Sequence, residues 1–425
     1  MAGQPIPMSA IDEALLLEDA RLPWNSHMDV SAPALDPDRV RQAYNAALAH
    51  HELGPCSVQP DGNGGQHWVP ADGPVDIGPV DVVRCADDAE VDRLRAALLD
   101  APMPLHVAPL ARAVIARRPH DDLLLSIVSH VLTDGLGLLR LLQSVGRAYR
   151  GVDDPPPAVD VRTAQRRLGA PLPADLQSMW QRWGQAVNEV AAAAVPRARI
   201  AASGGDGTAA CGVVTRTVDG RAVSAARVGR GTAFDDYAVA AGHLAIDRWN
   251  RERGGQPARI GVALGVNLRG FEWYFDVVAN LAAYASSVTD PQHRVDMDAT
   301  LAALGPQLAP ATRIERAQLV ADATRMARVI PRGARSQIIG SLDPDRFDSL
   351  VISNGGVIAE PPCFADGYVP DTWVTPPAVP AVGLVLALHT VEGQLRISAR
   401  YRRERFDAAG AAAFVDEYVA ALLSG

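Results

Sequence analysis

Residues 123–140 read LLLSIVSHVLTDGLGLLR. The first part, 123–131, is apolar and partly β-branched, which predicts a buried strand. From 136 to 149 apolar residues recur at helical spacing, which predicts a helix. His130 stands where the strand ends, with Asp134 four positions on and Gly135 directly after it. A histidine titrates near neutrality, so at this junction it can take and return a proton. Asp134 can hold the loop or accept from an arginine. Gly135 permits a tight turn and leaves room for a substrate chain. A plainer reading is a satisfied core histidine beside an N-cap aspartate.

Outward from this segment, the N-terminal part alternates helix and strand signals. Ser9 caps a short helix over 9–17, and 36–51 reads as an amphipathic helix with Pro37 in its first turn. Strands are expected at 80–83 and 113–117, and a helix at 88–99. The run GVDDPPP at 151–157 interrupts regular structure, because consecutive prolines lack donors and fix φ. A helix over 176–195 follows, then a flexible SGGDGT at 203–208. Beyond it, strands are expected at 213–218, 222–228, 260–267, 350–353, 382–388 and 395–400, with a hairpin at 391–393. Thr232 and Asp235 have capping-box spacing and open a helix over 235–253. A last helix covers 408–423. The expected organisation is α/β, with an N-terminal lobe at 1–155, a connecting arm at 156–210 and a C-terminal lobe at 211–425.

Composition narrows the chemistry. The 425 residues carry 40 basic and 49 acidic side chains, a net charge of −9, which argues against a nucleic-acid binder. There is no lysine, so every basic side chain is arginine. That excludes a lysine Schiff base, a Walker-A loop and a kinase fold. Cys56, Cys85, Cys211 and Cys363 stand apart, without metal-ligand or disulfide-scaffold spacing, so no metal is expected. No G-x-S-x-G elbow supports a triad hydrolase. The start of the chain has no signal-peptide pattern and no stretch is long and apolar enough to span a membrane, so a cytoplasmic setting is expected.

The pattern His130-x-x-x-Asp134-Gly135 after a buried strand resembles the active-site motif of the thioester-dependent acyltransferase superfamily. This group includes chloramphenicol acetyltransferase, nonribosomal peptide condensation domains, polyketide-associated acyltransferases and bacterial wax ester synthase/diacylglycerol acyltransferases. Further stretches are similar in the same order: 8–18, His51-Glu52, 232–249, Val266-Asn267-Leu268-Arg269, Asn280, Ile352-Ser353-Asn354 and 382–401. The resemblance implies two chloramphenicol acetyltransferase-like lobes in a pseudo-dimeric V, with a tunnel between them. It implies transfer of an acyl group from a pantetheine thioester to a hydroxyl or amine acceptor, with His130 as general base. Coenzyme A or an acyl- or peptidyl-carrier protein would bring the donor, as co-substrate rather than bound cofactor. Ser353 or Asn354 would face the oxyanion or substrate. Arginine groups at 325, 328, 332 and 335, and at 400, 402, 403 and 405, would face phosphates or a carrier protein, or be solvated.

The chain departs from the family in places. Ser129 replaces the first of two consecutive histidines, and the family's arginine near His51-Glu52 is missing. Asp134 therefore needs another partner, and Arg269 is the candidate for structural support. After Ile352-Ser353-Asn354 comes Gly355-Gly356-Val357 in place of valine, proline and glycine, which speaks against a long-chain lipid substrate. The same departures leave open an inactive module that recruits a carrier protein or partner enzyme.

Overall fold

The computed structural model describes residues 4–62, 65–166, 168, 175–193, 195–273, 276–341, 347–380 and 382–424. Its strands are β1 (Ile6–Pro7), β2 (Asn25–Ala32), β3 (Cys56–Pro60), β4 (Gln66–Pro70), β5 (Asp81–Arg84), β6 (Ala111–Arg117), β7 (Asp122–Ser129), β8 (Cys211–Asp219), β9 (Ile260–Asn267), β10 (Ala282–Thr289), β11 (Leu350–Val357), β12 (Thr372–Thr375), β13 (Leu384–Val391) and β14 (Gln394–Arg402). The α-helices are α1 (Ala10–Asp19), α2 (Pro37–His50), α3 (Asp88–Asp100), α4 (Gly135–Arg150), α5 (Val161–Arg166), α6 (Leu176–Ala193), α7 (Gly220–Val228), α8 (Phe234–Glu252), α9 (Met297–Leu308), α10 (Pro310–Met326), α11 (Arg332–Ser341) and α12 (Ala408–Leu423).

Two units divide the chain. The first takes Met1–Leu168, Arg269–Leu281 and Ile358–Pro377, and the second takes the remainder. This division differs from the continuous segments expected from the sequence. The chain leaves the second unit twice: once to bring Arg269 to Asp134, once to pair β12 with β2. The expected arm does not stand apart either. Residues to Leu168 fall in the first unit, and α6 packs on α10 in the second.

The first unit holds a five-stranded sheet in the order β12-β2-β7-β6-β5 and a small sheet β1-β4-β3. Every residue of β7 is buried, as the apolar run requires. Every residue of β2 is buried too, although its sequence, NSHMDVSA, is polar. Asn25 and Asp29 have partners in place. Asn25 donates to Leu99 O and Ala101 O at 3.0 Å, and Asp29 accepts from Arg95 Nε at 2.8 Å and meets His27. Helix α2 begins with Asp36 capping Arg39 N and Pro37 in its first turn, and buries Val40, Ala43, Tyr44, Ala47 and Leu48 at helical spacing.

The second unit is built on a six-stranded sheet, β10-β9-β11-β13-β14-β8. Strand β11 runs parallel to both neighbours and the other pairs are antiparallel. Its core joins α8 and α12 to the sheet through Tyr237, Leu244, Phe414 and Tyr418. Two expectations fail here. Residues 222–228 form helix α7, because Asp219 caps Arg221 N and starts a turn instead of extending β8. Helix α8 has Ala233 at its N-cap with no side-chain cap. The Asp235 carboxylate is engaged elsewhere, accepting from Asn354 Nδ2 at 2.6 Å and pairing with Arg313 at 2.9 Å.

Candidate active site

Strand β7 ends at Ser129, and a five-residue turn leads into α4. The turn is pinned at each step. His130 N donates to Trp24 O at 2.6 Å, and Leu132 N to Ser129 O at 3.0 Å. Ser129 Oγ accepts from Val131 N at 3.2 Å, so the serine in the first-histidine position closes the turn. Asp134 caps α4 by accepting from Gly137 N at 3.0 Å. Helix α4 then ends on Gly151 at φ 71°, a left-handed position that suits glycine.

Asp134 also meets the returning segment 269–281. Arg269 Nη1 donates to Asp134 Oδ2 at 2.7 Å, and Nη2 to Oδ1 at 2.9 Å. Leu281 N donates to Oδ2 at 2.8 Å. Both side chains are almost fully buried, at 7% and 1% exposed for Asp134 and Arg269. Burial alone would raise the Asp134 carboxyl, but the Arg269 charge, its hydrogen bonds and the two backbone N–H groups outweigh burial and hold it below the ordinary value.

His130 is partly exposed while its Nδ1 is buried without a hydrogen-bond partner. Burial lowers its pKa below the ordinary histidine value; the Asp134 charge and the Asn280 side chain oppose that shift without cancelling it. The net effect favours the neutral ring, the form able to accept a proton. Trp24 packs edge-on against it with centroids 6.4 Å apart.

Asn280 extends the site inward. Its Nδ2 donates to Val131 O at 2.7 Å and to Asp12 Oδ1 at 3.2 Å, while its Oδ1 is buried without a partner. Asp12 is fully buried in α1. It closes a capping box with Ser9 and accepts from Trp68 Nε1 and Gln165 Nε2 at 3.3 and 3.2 Å. Burial pushes its carboxyl up to about 6 against these hydrogen bonds. In the sequence, Asp12 registers only as part of a helix start. A buried carboxylate joined to the His130 turn through Asn280 has no local signature.

Gly135 does not serve the expected tight turn. It is the first residue of α4, is not among the glycines with positive φ, and has nothing within 4 Å of where a Cβ would stand. Gly137 is the constrained one. A Cβ there would run into Thr133 Oγ1 and stand 3.2 Å from Ala279 N and 3.3 Å from Val278 Cα.

Ser353 and Asn354 lie on β11 of the second unit, and His130 in the first. Asn354 is engaged at both ends: its amide donates to Asp235, and its Oδ1 accepts from Gly356 N at 2.9 Å. It borders a pocket of about 400 Å³ lined also by Val223, Arg227, Phe234, Val357 and Leu395. His51 is not near this chemistry. Its Nε2 meets Ser144 Oγ at 2.8 Å, and burial with the neighbouring Arg140 charge lowers its pKa to about 3. Glu52 accepts from Val161 N. Arg400 is buried and Arg402 pairs with Glu404, so neither offers a free cation to a phosphate. Among the described residues, no group of three or more His, Cys, Asp or Glu can hold a metal ion, and no helix is long and apolar enough to cross a membrane.

No family model matches the chain. Two uncharacterized proteins of Mycobacterium tuberculosis, from strains CDC 1551 and H37Rv, are each 26% identical to it over 393 residues, covering 89% of this chain and 90% of theirs. Among solved structures, the first condensation domain of the calcium-dependent antibiotic synthetase, in complex with a substrate analogue, aligns with a TM-score of 0.72 at 12% identity, over 100% of this chain and 96% of that one. The chain has a condensation-domain fold. The starter condensation domain of rhizomide synthetase, in complex with C8-CoA, gives 0.69 at 14% identity over 99% and 94% of the two chains. The epimerization domain of the third module of tyrocidine synthetase B gives 0.67 at 14% over 100% and 96%. The condensation-domain fold accounts for the two mixed α/β units, and fits the fold class expected from the sequence.

Proposed function

We propose that this protein is an acyltransferase that moves an acyl group from a pantetheine thioester to a hydroxyl or amine acceptor. Coenzyme A or a carrier protein would bring the thioester. The observation that carries the reading is His130, a partly exposed imidazole at the end of β7, on a turn held by the buried Asp134–Arg269 pair. Its Nδ1 is buried, which leaves Nε2 to meet an acceptor.

In the proposed reaction His130 Nε2 takes the acceptor's proton as its oxygen or nitrogen attacks the thioester carbonyl carbon. The tetrahedral intermediate collapses, the C–S bond breaks, and the leaving sulfur takes the proton from His130. The intermediate's oxyanion needs a hydrogen-bond donor. Ser353 is the better candidate of the strand-end pair, because the Asn354 amide is already donated to Asp235. Asp134 and Arg269 would hold the turn and take no part in bond making.

The test is acceptor-dependent thiol release from acyl-coenzyme A donors of graded chain length. His130→Ala should lower turnover by roughly 10²–10⁴-fold while the fold is kept. Equal activity in wild type and variant would remove His130 from the reaction. Absence of turnover with every donor, together with carrier-protein binding, would favour the recruitment reading. The replacement of the first histidine by Ser129 motivates that reading, but Ser129 is engaged in closing the turn.

A further inference from the structure

Helix α6 carries its apolar residues on a face it does not pack. Met179, Trp180, Trp183, Val187 and Val190 are exposed to 37%, 63%, 38%, 55% and 49%. At about 100° per residue they occupy one arc roughly 100° wide. Trp180 and Trp183 stand edge to face at 5.4 Å, forming one aromatic ledge. The packed side of α6 is a different one. Arg182 Nε donates to Asp322 Oδ2 at 2.9 Å, Glu189 pairs with Arg316 at 2.7 Å, and Ala186 is fully buried. An amphipathic helix of a globular protein ordinarily turns its apolar stripe to the core. Here ion pairs hold the helix to α10 and the stripe faces solvent.

The surroundings are cationic. Arg182, Arg313, Arg316 and Arg325 are each ion-paired, Arg313 with Asp235 and Asp236 of α8. The positive excess therefore lies in the run 325–335, which has four arginines and no carboxylate in a chain whose net charge is −9. Arg182 and Arg325 both pair with Asp322, which places Arg325 at the tryptophan end of α6. Beyond α10, Arg328 is exposed and the adjacent Val329 is 80% exposed.

We propose that this face rests on the surface of a membrane containing anionic lipid. The indoles and valines would enter the headgroup boundary, and the arginines beside them would meet lipid phosphates. The stripe contains no side-chain carboxylate, amide or hydroxyl, only two indole N–H donors on large apolar rings, which suits a membrane interface. The positive charge beside it complements an anionic surface, against the sign of the whole molecule. Such a helix lies on the bilayer without crossing it. This inference stands apart from the acyl-transfer reading, since it concerns α6 and α10 and none of the residues around His130.

The experiment is co-sedimentation of the full chain with vesicles of phosphatidylcholine alone or with phosphatidylglycerol added, while tryptophan fluorescence is recorded. Binding to the anionic vesicles is expected, with a blue shift, and it should weaken as salt is raised. Trp180→Ser with Trp183→Ser should weaken binding at least roughly tenfold. Arg325→Gln with Arg328→Gln should remove the preference for anionic vesicles. Because Trp180 is the most exposed of the stripe, Trp180→Ser alone serves as the variant that keeps the fold, checked by its melting temperature. No binding to either vesicle, or equal binding by wild type and the tryptophan variants, would overturn the proposal. So would wild type that self-associates, or binds an acidic carrier protein, through the stripe while ignoring vesicles.

Discussion

Arg269 grips Asp134 with both of its terminal nitrogens, across 135 positions of sequence and with both side chains buried. Each partner also serves the backbone. Asp134 accepts from Gly137 N and Leu281 N, and Arg269 donates to Val277 O and Ala279 O. The pair therefore rivets the start of α4 to the segment that returns from the second unit. Removing one partner leaves a buried charge uncompensated, which costs about 3–5 kcal/mol. Asp134→Asn and Arg269→Ala should each lose that order of stability in denaturant titrations, and activity with it. The double variant should lose less than the sum, since contacting residues couple. Strict additivity would show that the two side chains do not depend on each other.

The ionisation of His130 sets the acid side of the activity profile. Burial, the largest influence, lowers its pKa below the ordinary 6.5, and the Asp134 charge and Asn280 only soften that. A lowered histidine pKa keeps the neutral form down to lower pH. The stability linked to the neutral ring is present above the unfolded pKa and is lost as pH falls through the folded one. The acid limb of kcat/KM should thus have its midpoint below 6.5. In Asp134→Asn the acid limb should move further down, because the charge favouring imidazolium is gone. A limb above 6.5 in wild type would assign the controlling proton to another group.

Asp12 works in the opposite sense. Burial raises its carboxyl to about 6, so folding favours the protonated form. The stability this supplies is full below the unfolded pKa and is lost as pH rises through about 6. The difference from an ordinary aspartate amounts to about 3 kcal/mol between pH 4 and 7. Asp12→Asn should flatten the stability curve over that range. At pH 7 it should not destabilise strongly, because the charge removed is a costly one, although the capping box with Ser9 is weakened by about 1 kcal/mol. Unfolding free energies of both proteins at pH 4.5 and 7 test this. An unchanged slope would mean that another group titrates.

Much of this arrangement is legible in the sequence where its signal is local. Strand β7, the turn at His130 and helix α4 follow from an apolar run, a motif and helical periodicity within residues 123–149. Arg269 could be named because Asp134 lacked the arginine partner found in the acyltransferases that the sequence resembles. Other features had no such signal. Strand β2 reads as polar, since the partners of its Asn25 and Asp29 come from α3 and the residue just after it, 70 or so positions away, while His27 meets Asp29 within the strand. Helix α7 has β-branched residues but depends on the Asp219 cap. The unit boundaries depend on two excursions, 269–281 and 358–377, whose destinations are set by tertiary contacts. Asp12 is indistinguishable from any acidic residue in a first helical turn until Trp68, Gln165 and Asn280 are seen around it.

Asn280 joins these two ionisable groups, so its removal should be read in two measurements at once. Its amide nitrogen serves Val131 O and Asp12 Oδ1, and all three groups are buried. Asn280→Ala would leave both acceptors without that donor, at about 1–3 kcal/mol. A purely structural residue would do no more than that. Asn280 also raises the His130 pKa, against the larger effect of burial. Its loss should therefore shift the acid limb of kcat/KM to lower pH, in the same direction as Asp134→Asn. Asn280→Asp separates the effects: a carboxylate beside the ring would favour imidazolium and move the limb up, while also placing a second acidic group against Asp12. Opposite shifts in the alanine and aspartate variants are the expected result. Equal stability loss with an unmoved limb in both would reduce Asn280 to a brace for the Val131 turn.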